Sequence, residues 1–217
     1  MSNAQNLNYG IIGNCKSAAL IDKNASIDWC CLPRFDSPSI FAKILDTEKG
    51  GGFGIYPKEK FKVKQNYLDE SCILITRFEN KSSSFEIIDF MPRFQNEKGE
   101  YFAPPEIIRF VKPIKGNTRI KFEYDPKLEY AQGETSHQVK KNVIVSEVNH
   151  PKHDSLFLYT NLPQGQLINQ EYQNLKETLF FNISYKDYNK QHEKRVIEIL
   201  QKNKDIMYIH GKTYYRR

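Results

Sequence analysis

The chain has 217 residues, with 32 Lys and Arg against 26 Asp and Glu, a formal net charge of +6. At roughly 100–200 residues per domain it makes one large domain or two small ones, and it can bury a core without a disulfide or metal staple. Hydrophobic residues at 39% and charged residues at 27% argue against a membrane protein and give no sign of a disordered one.

In chain order, strands are expected at 9–13, 17–22 and 26–31, with Asp22-Lys23-Asn24 as the turn between the last two. Ser37 is an N-cap type of residue and Pro38 suits a first helical position. Ile40, Phe41, Ile44 and Leu45 then form an apolar stripe, which predicts a short helix near 37–46. Gly50-Gly51-Gly52 is expected to end it. Further strands are expected at 53–57, 61–67, 71–79, 84–91, 107–114, 118–124, 142–148, 155–161 and 179–185. Turns are supplied by Asn80-Lys81-Ser82 and Lys115-Gly116-Asn117. In the 118–124 strand Ile120, Phe122 and Tyr124 alternate with Arg119, Lys121 and Glu123, the pattern of a half-buried antiparallel strand. Leu179, Phe181, Ile183 and Tyr185 share one face of the last strand. A second helix is predicted over about 188–204, with Val196, Ile197 and Leu200 on one side.

So many short strands separated by turns, with abundant Phe and Tyr, predict a mainly β fold: a sandwich or barrel, not βαβ units. The charge divides unevenly over it. Residues 1–184 hold 23 basic and 22 acidic residues, a net of +1, whereas 185–217 hold 9 and 4, a net of +5. The nearly neutral body predicts no nucleic-acid partner, and the basic end reads as a solvated helix face or linker. No apolar run approaches the roughly 18 residues of a membrane span, and the N-terminus lacks a secretory pattern. No membrane partner and a cytoplasmic location are therefore expected. There the four cysteines, Cys15, Cys30, Cys31 and Cys72, are expected to be buried reduced thiols.

The densest chemistry lies in Ser26-Ile27-Asp28-Trp29-Cys30-Cys31-Leu32-Pro33-Arg34-Phe35-Asp36-Ser37-Pro38. Trp29 offers an aromatic face, and Arg34 and Asp36 offer fixed polar groups, a combination suited to a sugar. The same residues also suit a strand-to-helix corner with Trp29 in the core and Arg34–Asp36 as a local ion pair. Asp28 and Asp36 are candidates, by proximity in sequence only, for the carboxylate pair that glycoside hydrolysis needs, although single acidic residues in strands are more often solvated or paired. His150-Pro151-Lys152-His153-Asp154 has two imidazoles and a carboxylate but no further ligands at metal spacing, so a solvated loop is expected and no metal. Gly50 to Gly54 follows the predicted helix and precedes a strand, the reverse of a phosphate loop.

Six stretches carry a resemblance, Asp22-Lys23-Asn24-Ala25-Ser26-Ile27-Asp28-Trp29 among them. Tyr9-Gly10-Ile11-Ile12-Gly13-Asn14-Cys15-Lys16-Ser17-Ala18-Ala19-Leu20 opens it. Leu32-Pro33-Arg34-Phe35-Asp36-Ser37-Pro38-Ser39-Ile40-Phe41 follows. Gly51-Gly52-Phe53, Ile87-Ile88-Asp89-Phe90-Met91-Pro92 and Ile108-Arg109 then come in order. Together they resemble the start of bacterial glycoside hydrolase family 15 proteins, the glucoamylase, glucodextranase and trehalase-type enzymes with a trehalase-like N-terminal domain. The resemblance implies a large antiparallel, supersandwich-like β-sandwich over 1–184. A basic helical linker over 185–217 would lead into an (α/α)6 catalytic barrel absent from this chain. The family's two catalytic glutamates lie in that barrel, so no catalytic residue, cofactor or metal is implied here. The chain alone is expected to be inactive.

Its implied partners are its own barrel and, in the whole enzyme, a glucose-containing oligosaccharide or trehalose, hydrolysed with inversion. Trp29, Arg34, Phe35 and Asp36 are the candidates for the rim of the sugar pocket or for the domain interface. The face left by the missing barrel is expected to be apolar and to favour self-association. The alternative is an autonomous carbohydrate-binding or protein-interaction module of the same β-sandwich fold.

Overall fold

A computed structural model describes residues 8–95, 99–140, 143–149 and 155–185. The strands are, in order, β1 (Tyr9–Gly13), β2 (Ala18–Asp22), β3 (Ile27–Cys31), β4 (Ser39–Phe41), β5 (Gly52–Pro57) and β6 (Lys62–Tyr67). Next come β7 (Leu74–Glu79), β8 (Ser84–Phe90), β9 (Phe94–Gln95), β10 (Tyr101–Phe102), β11 (Glu106–Lys115) and β12 (Arg119–Asp125). Last are β13 (Thr135–Lys140), β14 (Val143–Val148), β15 (Leu156–Thr160), β16 (Gln173–Asn174) and β17 (Leu179–Ser184). A 3₁₀ turn at Glu129–Ala131 and a five-residue helix α1 at Gln164–Ile168 interrupt them.

Two large open antiparallel sheets result, and β9 and β10 pair as a separate two-stranded sheet. The first runs β1-β2-β3-β5-β12-β16, with β4 added on β3; the second runs β13-β14-β15-β17-β11-β8-β7-β6. The fold is the predicted β-sandwich. All twelve strands expected from the sequence are present within a few residues of their predicted bounds. The second predicted helix, 188–204, lies outside the described residues, as does the 150–154 histidine segment.

The main core lies between the sheets. β12 keeps its predicted alternation, with Ile120, Phe122 and Tyr124 buried and Arg119 exposed. From β17, Leu179, Phe181 and Ile183 join the same core, and Tyr185 packs against it. Phe53 and Phe122 meet Phe181 at ring distances of 5.3 and 4.8 Å. Each fully buried Phe contributes about 2–3 kcal/mol through its apolar surface. Because β17 is an inner strand, its other face is also buried. Phe180 there joins Ile73, Ile88, Ile108 and Phe110 in a second apolar cluster on the outer side of the larger sheet.

A buried ion pair ties the two sheets across the core. Arg109 and Asp89 stand opposite each other on β11 and β8 and are fully buried. The guanidinium donates from Nε to Asp89 Oδ1 at 2.7 Å and from Nη2 to Oδ2 at 3.1 Å. It also donates to the carbonyls of Phe53, in the other sheet, and of Ala25, in that sheet's β2–β3 turn, at 3.0 and 2.8 Å, and lies 4.9 Å over the Phe53 ring. A fork of five donors on a planar cation can satisfy two carboxylate oxygens and two carbonyls at once. Arg109 therefore joins the two sheets at the point where three of the family-like motifs meet.

The helix expected near 37–46 does not form. Ser39–Phe41 is β4, paired to β3 with Phe41 opposite Cys30 and Ser39 opposite Cys31. All three β4 residues are buried, whereas Leu45 of the supposed apolar stripe is 74% exposed. Pairing to a strand with both faces covered removes the advantage of a helical stripe. Residues 42–50 then turn back: Ala42 N–H donates to Gly50 O at 2.8 Å and Gly50 N–H to Asp46 O at 2.9 Å. Gly50 to Gly52 are accordingly the entry to β5, not a helix cap. At Gly51 φ is +63°, and a Cβ would stand 2.2 Å from Asp125 O, so only glycine fits there without strain. The cysteines also divide: Cys30 and Cys31 are buried as expected, but Cys15 and Cys72 are exposed. Both exposed thiols lie in turns, which run over the surface.

Candidate functional site

The chain leaves β3 at Cys31 and crosses one end of the sandwich as the loop 32–38. This end also carries the β1–β2 turn, 14–17, and the segment before β11. The loops are tied together. Phe35 N–H donates to Lys16 O at 3.0 Å, Ser17 Oγ donates to Cys31 O, and Asn14 Nδ2 donates to Pro104 O at 2.9 Å. Asn14 Oδ1 in turn accepts the N–H groups of Lys16 and Ser17, both at 3.1 Å. Such side-chain-to-backbone bonds close turns without further secondary structure.

On this framework Arg34 and Asp36 form a two-pronged pair, Nε to Oδ1 at 3.0 Å and Nη2 to Oδ2 at 3.2 Å. Their side chains are 70% and 71% exposed. Ser37 closes the loop: its Oγ accepts the Arg34 N–H at 3.1 Å, and its own N–H donates to Arg34 O at 3.1 Å. The Ser37 side chain thus closes a turn instead of capping a helix. Phe35 is 62% exposed. Trp29 lies half-buried on the outer face of its sheet, opposite Leu20. It is therefore not a core residue. The structure brings Arg34, Phe35 and Asp36 together at the loop tip and leaves Trp29 on the adjoining strand.

Two aromatic residues not singled out by the sequence share this end. Tyr101 and Phe102 of β10 are exposed, and the Arg93 guanidinium lies 4.4 Å over the Tyr101 ring. Their only sequence signal is an aromatic pair shortly after the Ile87–Pro92 motif.

The Asp28–Asp36 carboxylate pair does not assemble. Asp28 stands at the start of β3 and Asp36 beyond its end, so about 10 Å of strand separates Asp28 from the loop. Asp28 is buried and accepts from Ser26 Oγ at 2.6 Å and Tyr9 OH at 3.0 Å. Partial burial and the Asp28 carboxylate push the Tyr9 phenol up to about 12. A further polar group joins His137, Ser146 and Tyr124. His137 Nδ1 is 2.9 Å from Ser146 Oγ, which is 3.4 Å from Tyr124 OH. Burial pushes the His137 imidazole below its ordinary value and the Tyr124 phenol above its own. Ser146 is completely buried, so no substrate carbonyl can reach its oxygen and the group is not a hydrolytic one. Among the described residues no cluster of three His, Cys, Asp or Glu could hold a metal ion.

Against known proteins, the model of the family described as "Trehalase-like, N-terminal" matches residues 3–162. The chain belongs to that family. Its similar relatives include a trehalase of Thermoplasma volcanium, 36% identical over 127 residues, covering 57% of this chain and 20% of the relative. Trehalase 2 of Sulfolobus acidocaldarius is 46% identical over 86 residues, 40% of this chain and 14% of the relative. A trehalase of Mycolicibacterium smegmatis is 27% identical over 178 residues, 72% of this chain and 26% of the relative. This trehalase-like domain thus spans about a quarter or less of the length of these curated relatives. No solved structure matches it. The 32–38 loop and the Arg109–Asp89 tie both fall within the matched residues.

Proposed function

We propose that this chain is the non-catalytic N-terminal domain of a trehalase- or glucoamylase-type hydrolase. In that role it supports the catalytic domain and presents its 32–38 loop at the rim of the sugar pocket. The observation that carries the reading is the loop tip. Arg34 and Asp36 are held in a two-pronged pair while mostly exposed, with exposed Phe35 between them and exposed Tyr101 and Phe102 at the same end. An exposed pair of this kind adds only about 0–1 kcal/mol to folding, so its geometry is not explained by stability. A guanidinium, a carboxylate and an aromatic face are what a sugar hydroxyl array or an opposing domain can engage.

The glycosidic bond itself would be cut by acidic groups of the catalytic domain, one protonating the leaving oxygen and one activating water. Arg34 and Asp36 would act on substrate position and not on proton transfer. In the longer enzyme, Arg34→Ala is expected to lower kcat/KM for trehalose about tenfold, which corresponds to roughly 1.4 kcal/mol of lost transition-state binding. Its melting temperature should be unchanged. Unchanged kinetics in Arg34→Ala and Asp36→Ala would overturn the rim role.

A further inference from the structure

The turn 22–26 and the start of β6 frame the opposite end of the sandwich from the 32–38 loop. An open cavity of about 370 Å3 lies there. Asp22, Asn24, Asp28 and Lys43 line it together with Phe61 and Val63. The polar groups keep bonding capacity. Each Asp28 oxygen accepts one hydroxyl, from Ser26 at 2.6 Å or from Tyr9 at 3.0 Å. A carboxylate oxygen has two acceptor sites, so one remains on each. Asp22 Oδ1 accepts the N–H groups of Asn24 and Ser26 at 2.8 and 2.7 Å, but Oδ2 has only a 3.4 Å contact from Asn24 Nδ2. Lys43 Nζ makes one long bond, 3.4 Å to Tyr56 OH, of the three it can donate.

The lining selects its ligand by elimination. Two carboxylates against one ammonium repel a phosphate or carboxylate ligand. An apolar ligand would strip water from these groups and return no hydrogen bonds. A metal ion lacks a third acidic or imidazole ligand among the described residues. A neutral polyhydroxylated ring fits each part: hydroxyls donate to Asp22 and Asp28, one oxygen accepts from Lys43, and the C–H face lies against Phe61. The volume is near the lower end of the roughly 300–1,000 Å3 of small-molecule pockets, enough for one ring and not for a chain.

We propose that this cavity is a binding subsite for a single neutral sugar ring, carried by the sandwich itself and separate from the 32–38 loop. It stands whether or not Arg34 serves a catalytic domain, because it is read by binding to the 217-residue chain and not by kinetics of a longer enzyme.

The test is a titration of the 15N-labelled 217-residue chain with trehalose and with D-glucose, read by amide chemical shifts. Ethanolamine serves as the cationic control. Saturable shifts at Asn24, Ser26 and Lys43 are expected, with a Kd on the order of 1 mM for the better sugar. Lys43→Met should weaken this about tenfold, the loss of one charge-assisted hydrogen bond, at an unchanged melting temperature. Asp22→Asn, which keeps Oδ1 for the turn, should weaken it similarly. Absence of saturable shifts, shifts confined to the 32–38 loop, a response to ethanolamine but not to sugars, or full affinity in Lys43→Met would each overturn the proposal.

Discussion

Replacing Arg109 by Met strands the Asp89 carboxylate in the core, where both side chains are 0% exposed. The substitution also removes the donors to Phe53 O and Ala25 O that join the two sheets. Removing one partner of a buried ion pair costs about 3–5 kcal/mol, because the other charge is left without compensation. The two carbonyls add roughly 1 kcal/mol each if water does not replace the guanidinium. The expected loss is about 5–7 kcal/mol, a large part of the roughly 5–15 kcal/mol that holds a domain folded. At roughly 2–4 °C per kcal/mol for a chain of this size, the melting temperature should fall by about 10–28 °C. Urea unfolding of wild type, Arg109→Met, Asp89→Leu and the double variant measures the coupling. The double variant should recover about 2–4 kcal/mol relative to the sum of the singles, since an apolar pair needs no counter-charge.

Acidity supplies a second readout of the same perturbation. Burial raises the Asp89 carboxyl and Arg109 lowers it, so the Met variant keeps only the raising influence. A folded-state value above the unfolded one means that the variant is least impaired below the unfolded value of about 4 and loses stability as pH rises from there. Arg109→Met should therefore approach wild type near pH 4 and fall furthest behind it near pH 8. A single-variant loss under about 1 kcal/mol, strict additivity in the cycle, or a pH-independent deficit would refute the argument that this pair ties the sheets.

Further expectations follow from local geometry. His137 is held below its ordinary value by burial, so its contribution to stability is present above about pH 6.5 and is lost as pH falls through the folded value. His137→Gln should flatten the melting temperature between about pH 7 and 5; an unaltered slope would contradict the assignment. Arg34→Ala and Asp36→Ala should each change the unfolding free energy of this chain by under about 1 kcal/mol, given their exposure. Gly51→Ala should destabilise by roughly 1–3 kcal/mol, because a Cβ at φ +63° meets Asp125 O. Gly165→Ala, in α1 with open space around the new methyl, should stabilise by about 0.5–1 kcal/mol, and denaturant titration of the two variants checks the contrast.

The strands were legible because one side chain in two faces the core, and that period survives in a single sequence. Ile120, Phe122 and Tyr124 show it most cleanly. β4 was not, because a strand buried on both faces shows no alternation, and Ser37-Pro38 announces a turn as readily as a helix. Short strands such as β10 and β16 have too few residues for any period to appear. At the candidate site, Arg34 and Asp36 were legible as a local pair because they are two residues apart. Asp28 was misplaced as their partner, since adjacency along a strand is separation in space. Tyr9, Lys43 and Tyr56 were invisible as neighbours of Asp28 because only the sheet order β1-β2-β3-β5 and the 42–50 turn bring them together.

β3 links the two ends that carry polar chemistry. Its first residues, with Asp28, border the cavity, and its last residue leads into the Arg34–Asp36 loop. Between them Ile27, Cys30 and Cys31 are buried, and burial holds the Cys30 thiol far above its ordinary value, un-ionised. Directly beneath, Ala25 O is held by Arg109, so the entry to β3 is anchored to the opposite sheet. A strand packed at core density does not deform gradually. Sugar bound at the cavity should therefore leave the loop geometry in place, and the two ends should behave as additive sites. Lys43→Met and Arg34→Ala combined in a longer enzyme should multiply their separate effects on sugar binding and kcat/KM, within the few tenths of a kcal/mol expected for distant residues. A coupling above about 1 kcal/mol would show that β3 transmits between its ends and that the rigid reading of the sandwich is wrong.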